Sequence, residues 1–360
     1  MNGPVNRPKR PLTRPLARYQ TDRYTHGRAG NPSISSGADS AGVRPDEPSA
    51  GENFVNDIPT RLLGRTGLDV TVLGFGAMEI GGPPGGKDVS DADAGRLLHA
   101  VLDSGINLID TAIDYGRSEE LIGRHLAGRR HEYFLATKCG CVPGAAQGSE
   151  HVHTPQNIRA GVQHSLRTLR TDYLDIVQFH RSLLPDQFRD EGALDALVGL
   201  QQEGKVRFIG VSATLPNVNA LIETNLFDVF QLPYSCLQTE HEEAMAAASA
   251  AGAGLIIRGG VARGAPTDWD SRPYYMVSTP TMREIWDRAG LDELLAGITR
   301  HEFMLRFTLS NPHLDSTIVG TANIEHLQQN VRFATNGPLP ADVLVEARRR
   351  LAAATAGDSQ

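Results

Sequence analysis

Cysteine is scarce in this chain: 360 residues hold three, at Cys139, Cys141 and Cys236. An odd, low count excludes a disulfide framework and fits a reducing, cytoplasmic setting. Cys139-Gly-Cys141 lacks the second pair that a zinc ribbon requires. Long apolar runs are missing as well. No stretch reaches the about 18 residues of a membrane-spanning helix, so no membrane partner is expected. Positive charge is in deficit, with 35 Lys and Arg against 42 Asp and Glu, a formal net charge of −7. That balance argues against nucleic acid as a partner. Also missing is a Gly-x-Gly-x-x-Gly after the first strand. Gly74-Phe-Gly76 lacks the third glycine and stands in the wrong context for a Rossmann turn.

What is present divides the chain in three. Residues 1–58 carry seven prolines, eight Lys and Arg, six Asp and Glu and three aromatics, with no sustained period. This composition predicts a disordered basic tail. No apolar segment follows its basic residues to make a secretory signal. Residues 59–336 read as one domain, and 337–360 as a C-terminal helix over Ala341 to Ala354 with a short tail.

Within the middle segment, Arg61 to Gly64 and Leu68 to Thr71 flank Arg65-Thr-Gly67 and predict a hairpin. Apolar runs then alternate with helical patterns. Strands are expected at Val72–Met78, Asn107–Ala112, Tyr133–Lys138, Tyr173–Phe179, Val206–Val211, Val229–Pro233, Leu255–Ile257 and Ser316–Val319. Each is followed by a helical stretch. Ser90 and Thr154 stand where caps belong, with Pro155 in the first turn of its helix. Eight strand–helix units in this length predict an α/β fold, a (β/α)8 TIM barrel plugged by the N-terminal hairpin.

In such a barrel the chemistry projects from the carboxyl ends of the strands. Those ends carry Asp110, Lys138, His180, Ser212, Gln231 and Arg258, and Tyr115 follows Asp110 in the next loop. The first three come from neighbouring strands. A tyrosine is a poor acid at neutral pH unless a cation lowers its pKa of about 10. Lys138 is expected to supply that cation. Asp110 would pair with Lys138 and keep it charged while buried. His180 would hydrogen-bond a substrate oxygen. Together they make a proton donor for an alkoxide.

Five segments carry a resemblance. They are Gly105-Ile-Asn-Leu-Ile-Asp-Thr-Ala-Ile-Asp-Tyr-Gly116, Ala136-Thr-Lys138-Cys-Gly140, Asp175-Ile-Val-Gln-Phe-His180, Gly204-Lys-Val-Arg-Phe-Ile-Gly-Val-Ser212 and Ile318-Val-Gly-Thr-Ala-Asn-Ile-Glu-His-Leu-Gln-Gln-Asn330. In this order they resemble the aldo-keto reductase superfamily, from about Arg61 to about Ala334. The resemblance implies a catalytic tetrad of Asp110, Tyr115, Lys138 and His180. It implies NAD(P)H-dependent reduction of an aldehyde or ketone, with a small-molecule carbonyl as substrate. It further implies that Ser212 and Gln231 hold the nicotinamide carboxamide. Gly320, Thr321 and Asn323 would lie at the adenosine phosphate, and Gln329 and Asn330 would reach the adenine.

Two departures stand out. Where the family usually stacks an aromatic residue on the nicotinamide, this chain has Arg258, followed by Gly259 and Gly260. A guanidinium can stack on a ring or reach a pyrophosphate. After Gly320 there is no Lys or Arg to meet a 2′-phosphate. NADPH is the cofactor expected from the resemblance, with NADH as the alternative.

Other readings stand beside this one. A barrel of this kind can serve as a catalytically weak, cofactor-sensing partner subunit. A metal-dependent hydrolase would need clustered ligands at the strand ends. Glu150-His151-Val-His153 is half a metal site with no obvious third ligand, and reads as loop residues, so no metal is expected. Trp269, Tyr274, Tyr275 and Trp286 lie in the long connection after the seventh strand. They either wall the substrate pocket or pack on the barrel.

Overall fold

The computed structural model describes residues 57–181, 183–190, 192–262 and 279–356. The expectations for the first 56 residues, and for Trp269, Tyr274 and Tyr275, lie outside these. The hairpin is β1 (Thr60–Leu62) and β2 (Asp69–Thr71), antiparallel, with Arg61 opposite Val70. The barrel strands are β3 (Leu73–Gly76), β4 (Leu108–Asp110), β5 (Phe134–Cys139), β6 (Leu174–Phe179), β7 (Val206–Ser212), β8 (Val229–Pro233), β9 (Gly254–Arg258) and β10 (Ser316–Val319). All neighbours are parallel, and β10 closes on β3. The helices are α1 (Asp91–Asp103), α2 (Ser118–Leu126), α3 (Pro155–Thr168), α4 (Pro185–Asp190), α5 (Ala193–Gln202), α6 (Asn217–Glu223), α7 (Glu242–Ala250), α8 (Thr279–Arg288), α9 (Arg300–Leu309), α10 (Ile324–Thr335) and α11 (Ala341–Thr355). The eight expected strands and the plug are therefore all present. No helix among the described residues is long and apolar enough to cross a membrane.

Local chemistry explains the ends of these elements. Ser90 Oγ accepts from Asp93 N at the start of α1, and Thr154 Oγ1 from Asn157 N at the start of α3. Each satisfies a backbone donor that the first helical turn leaves open. The second barrel strand stops at Asp110, two residues before the expected end. There the carbonyl of Thr111 accepts from the side chain of Lys138, Nζ at 2.8 Å. The first stops at Gly76, where Ala77–Ile80 turns into a 3-10 helix.

Two helices were not anticipated. α4 is short, and its Phe188 is buried against Phe179, with ring centroids 4.6 Å apart. α8 lies in the long connection. Its Trp286 is fully buried, edge-to-face with Phe303 at 5.7 Å, and its Nε1 donates to Asp292. Of the two roles considered for that tryptophan, packing is the one observed.

The barrel floor is apolar. Leu63, Leu68 and Val70 of the plug pack with Leu108, Phe134, Ile176, Val229 and Ile256 of the strands. Burying each such side chain is worth roughly 1.5–3 kcal/mol. Side chains alternate along a strand, so the next interior positions upward are Asp110, Gln178, Gln231 and Arg258, with Lys138 two beyond Ala136. Each interior file thus passes from apolar to polar towards the carboxyl end, which positions the site.

Candidate active site

Asp110, Lys138, Gln178 and Gln231 are all buried and joined. Asp110 Oδ1 accepts from Lys138 Nζ at 2.5 Å, and Oδ2 accepts from Gln178 Nε2 at 3.0 Å and Gln231 Nε2 at 2.9 Å. Strands β4, β5, β6 and β8 are cross-linked by one carboxylate. The register sets Lys138 beside Gln178 and Asp110 beside Ala136. Burial pulls the Lys138 pKa down, but Asp110 and Tyr115 more than reverse this, so it lies above its ordinary value. The lysine is a fixed cation.

Tyr115 sits in the loop after β4, its ring 4.7 Å from Lys138 Nζ. The loop is held by close backbone contact. A Cβ on Gly81 would come 2.0 Å from Tyr115 O, and one on Gly116, at φ +53°, would come 2.2 Å from Gly81 O. Only glycine fits at both. Burial pushes the phenol pKa above 10, and Lys138 opposes that without overcoming it. The expectation of a lowered pKa is therefore corrected: desolvation outweighs the neighbouring cation.

The ring of His180 meets Tyr115 edge-on, centroids 5.6 Å apart. Burial holds its pKa below the ordinary value. Its Nδ1 lies 3.3 Å from Asp114 Oδ1 and 3.2 Å from Cys141 Sγ. Cys141 Sγ is also 3.4 Å from His151 Nε2. Of the half-site read from sequence only His151 joins this group; the ring of His153 lies against Phe179 and Phe188 instead.

The residues expected at a cofactor lie along adjacent strand ends. Ser212 ends β7 beside Gln231, and Arg258 ends β9 beside Ile318. Gly259 has φ +74° and open space where a Cβ would stand, so its backbone is approachable. Gly320 is packed on Gly76 O, 2.8 Å from its would-be Cβ. Thr321 Oγ1 accepts from Asn323 N at 3.0 Å, and Asn323 Oδ1 caps α10 by accepting from Glu325 N at 2.7 Å. Gln329 is exposed. Asn330 is buried, its Oδ1 2.7 Å from His301 Nε2.

The sequence model of the Aldo/keto reductase family matches residues 72–349. The chain belongs to that family. Family membership makes it an NAD(P)-dependent oxidoreductase. Among solved structures, it is similar to the aldo-keto reductase AKR11C1 from Bacillus halodurans in its holo form. The two share a TM-score of 0.69 and 29% identity, covering 81% of this chain and 96% of that one. Among curated relatives it is 29% identical over 289 residues to the uncharacterized oxidoreductase YqkF of Bacillus subtilis (strain 168), 76% of this chain and 90% of the relative. It is 28% identical over 293 residues to L-galactose dehydrogenase of Arabidopsis thaliana, 77% of this chain and 88% of the relative.

In this aldo/keto reductase the fold gathers Asp110, Tyr115, Lys138 and His180 at one mouth. Gln231, expected at the nicotinamide carboxamide, donates its amide nitrogen to Asp110 at 2.9 Å. Gln178, Asp114 and Cys141 were not singled out from sequence as site residues. Gln178 had a signal, a lone amide in the apolar run Leu174–Phe179, two residues before His180. Asp114 and Cys141 had none, because their neighbours come from separate loops. Asp175, in the same run, faces the other way and binds Arg130, Arg207 and Leu135 N, which is structural support.

Proposed function

We propose that this protein reversibly reduces an aldehyde or ketone to an alcohol with NAD(P)H, and that Tyr115 is the proton donor. The observation that carries the reading is Lys138 Nζ, bonded to Asp110 Oδ1 at 2.5 Å and 4.7 Å from the Tyr115 ring. When bound, the nicotinamide supplies the hydride. The chain supplies the rest. The phenol, protonated at neutral pH, gives its proton to the oxygen of the reduced carbonyl. The Lys138 ammonium then stabilises the phenolate left behind, and Asp110 holds that ammonium in place. His180 donates a hydrogen bond to the carbonyl oxygen and orients it. In the reverse direction Tyr115 takes the proton from an alcohol.

The residues at the mouth fit a nucleotide. Arg258 ends the strand next to β10 and Gly259 follows it, and the loop after β10 runs into the N-terminus of α10, a helix of 12 residues. A helix N-terminus with a neighbouring guanidinium favours a pyrophosphate. NADPH is the cofactor carried by the resemblance. The absence of a cation from Gly320 to Asn323 favours NADH, because a 2′-phosphate binds best to Lys or Arg. The three described cysteines are free and buried, in keeping with a reducing compartment, and we place the enzyme in the cytoplasm.

The test is turnover of small aldehydes by wild type and Tyr115→Phe with each cofactor, together with cofactor titration by tryptophan fluorescence. The variant is expected to lose about 10²–10⁴-fold in kcat while binding cofactor nearly as wild type does. Unchanged turnover in the variant rules out the role of Tyr115. A wild type that binds cofactor but never turns over favours a cofactor-sensing subunit.

A further inference from the structure

We propose that the barrel mouth carries a second site, for a zinc-class divalent ion, with Asp114, Cys141, His151 and His180 as its four ligands. One ligand atom from each lies within 4.8 Å of all the others. A thiolate, two imidazoles and a carboxylate form a donor set that zinc takes in four-coordinate sites. Bond lengths of about 2.3 Å to sulfur and about 2.0–2.1 Å to nitrogen make the edges of a zinc tetrahedron roughly 3.3–3.6 Å. Three separations here are close to that: 3.2 Å from Cys141 Sγ to His180 Nδ1, 3.4 Å from Cys141 Sγ to His151 Nε2, and 3.3 Å from Asp114 Oδ1 to His180 Nδ1. Asp114 and His151 both stand on loops, and the longer edges stay within 4.8 Å.

Two further observations point to a cation. Asp114 Oδ1 is a buried carboxylate oxygen with no well-formed hydrogen bond among the described residues, its polar neighbour being His180 Nδ1 at 3.3 Å, and native structures rarely leave such an atom so poorly met. Cys141 has one S–H to offer, yet two ring nitrogens converge on its sulfur. An ion among them would satisfy all these lone pairs at once. The four ligands come from loops after β4, β5 and β6, which explains why no sequence spacing announces them. Ligation of His180 through Nδ1 leaves Nε2–H as its donor, the tautomer that a hydrogen bond to a substrate oxygen requires. That link to turnover rests on the proposed function; the binding site does not.

The experiment equilibrates the full-length protein with Zn²⁺, without cofactor or substrate, removes the excess and counts metal by elemental analysis. A parallel sample takes Co²⁺ and is read by absorption spectroscopy. Wild type is expected to hold one equivalent and to show a thiolate-to-cobalt charge-transfer band. Cys141→Ser should lose the band, and His151→Ala should bind zinc at least about tenfold more weakly. His151 is half-buried on a loop, so its variant keeps the test open if Cys141→Ser does not fold. Sub-stoichiometric zinc in wild type overturns the proposal, and so does equal zinc in both folded variants. Turnover of zinc-free wild type is measured separately. Zinc bound without turnover defeats only the reductase assignment, and turnover without zinc binding defeats only this one.

Discussion

A buried carboxylate costs several kcal/mol unless its lone pairs are met, and two acids in this molecule answer that demand in opposite ways. Asp110 meets it with one ammonium and two amides, which fixes Lys138 beside Tyr115. Glu119 does not. Its Oε1 accepts from Thr137 Oγ1 at 2.6 Å, but Oε2 has no hydrogen-bond partner among the described residues, and burial pushes its pKa from 4.5 to about 7. Between those values the folded chain holds a proton that the unfolded chain has released. Stability therefore falls as pH rises through that window. A shift from 4.5 to about 7 corresponds to about 3 kcal/mol. Glu119→Gln mimics the protonated acid and removes this slope. Urea denaturation at several pH values should show the variant gaining on wild type by up to about 3 kcal/mol as pH rises past 7. Parallel pH profiles would mean that Glu119 is ionised in the folded chain.

Between elements, the seating of the hairpin on the barrel floor is a close backbone fit. Gly64 has φ +47°, and a Cβ there would stand 2.2 Å from Gly254 N and 2.4 Å from Ala253 C. The obstruction is backbone, which cannot rotate away. Arg65 N donates to Gly252 O at 2.8 Å, and Leu63 is fully buried beneath the strands. Gly64→Ala should lift the plug and cost on the order of 3 kcal/mol from strain and overpacking together. Thermal unfolding measures the loss. A cost under about 0.5 kcal/mol, typical of surface substitutions, would show that the seat yields. Gly67, at φ +70°, has nothing within 4 Å of a would-be Cβ, so its alanine variant carries backbone strain without the clash and serves as the control.

At the scale of the whole molecule, a barrel closed by β3 and β10 has no open sheet edge to cover. Its floor is sealed by a hairpin that starts at Thr60. The C-terminal helix α11 is fastened to the connection between α8 and α9, with Arg350 Nη1 donating to Gly290 O at 2.9 Å and to Glu293 at 2.8 Å. We therefore propose that the barrel stands without residues 1–56. Their removal should shift Tm by less than about 2 °C, under roughly 1 kcal/mol for a domain of this size. A larger drop in a scanning calorimeter would mean that the tail docks. The barrel itself was legible from sequence because eight apolar runs alternate with helical patterns, and each pattern is local. Asp110, Lys138 and His180 were legible for a related reason, since polar residues at the ends of apolar runs mark the carboxyl rim. Strand lengths were less so: the end of β4 depends on a lysine from β5 reaching Thr111 O, 27 positions away. The burial that raises the Tyr115 pKa despite Lys138, the bond from Gln231 to Asp110, and the convergence of Asp114, Cys141, His151 and His180 were settled by tertiary structure alone. Period and spacing report what a chain does over a few residues, whereas desolvation and ligand convergence arise only once distant loops share one small volume.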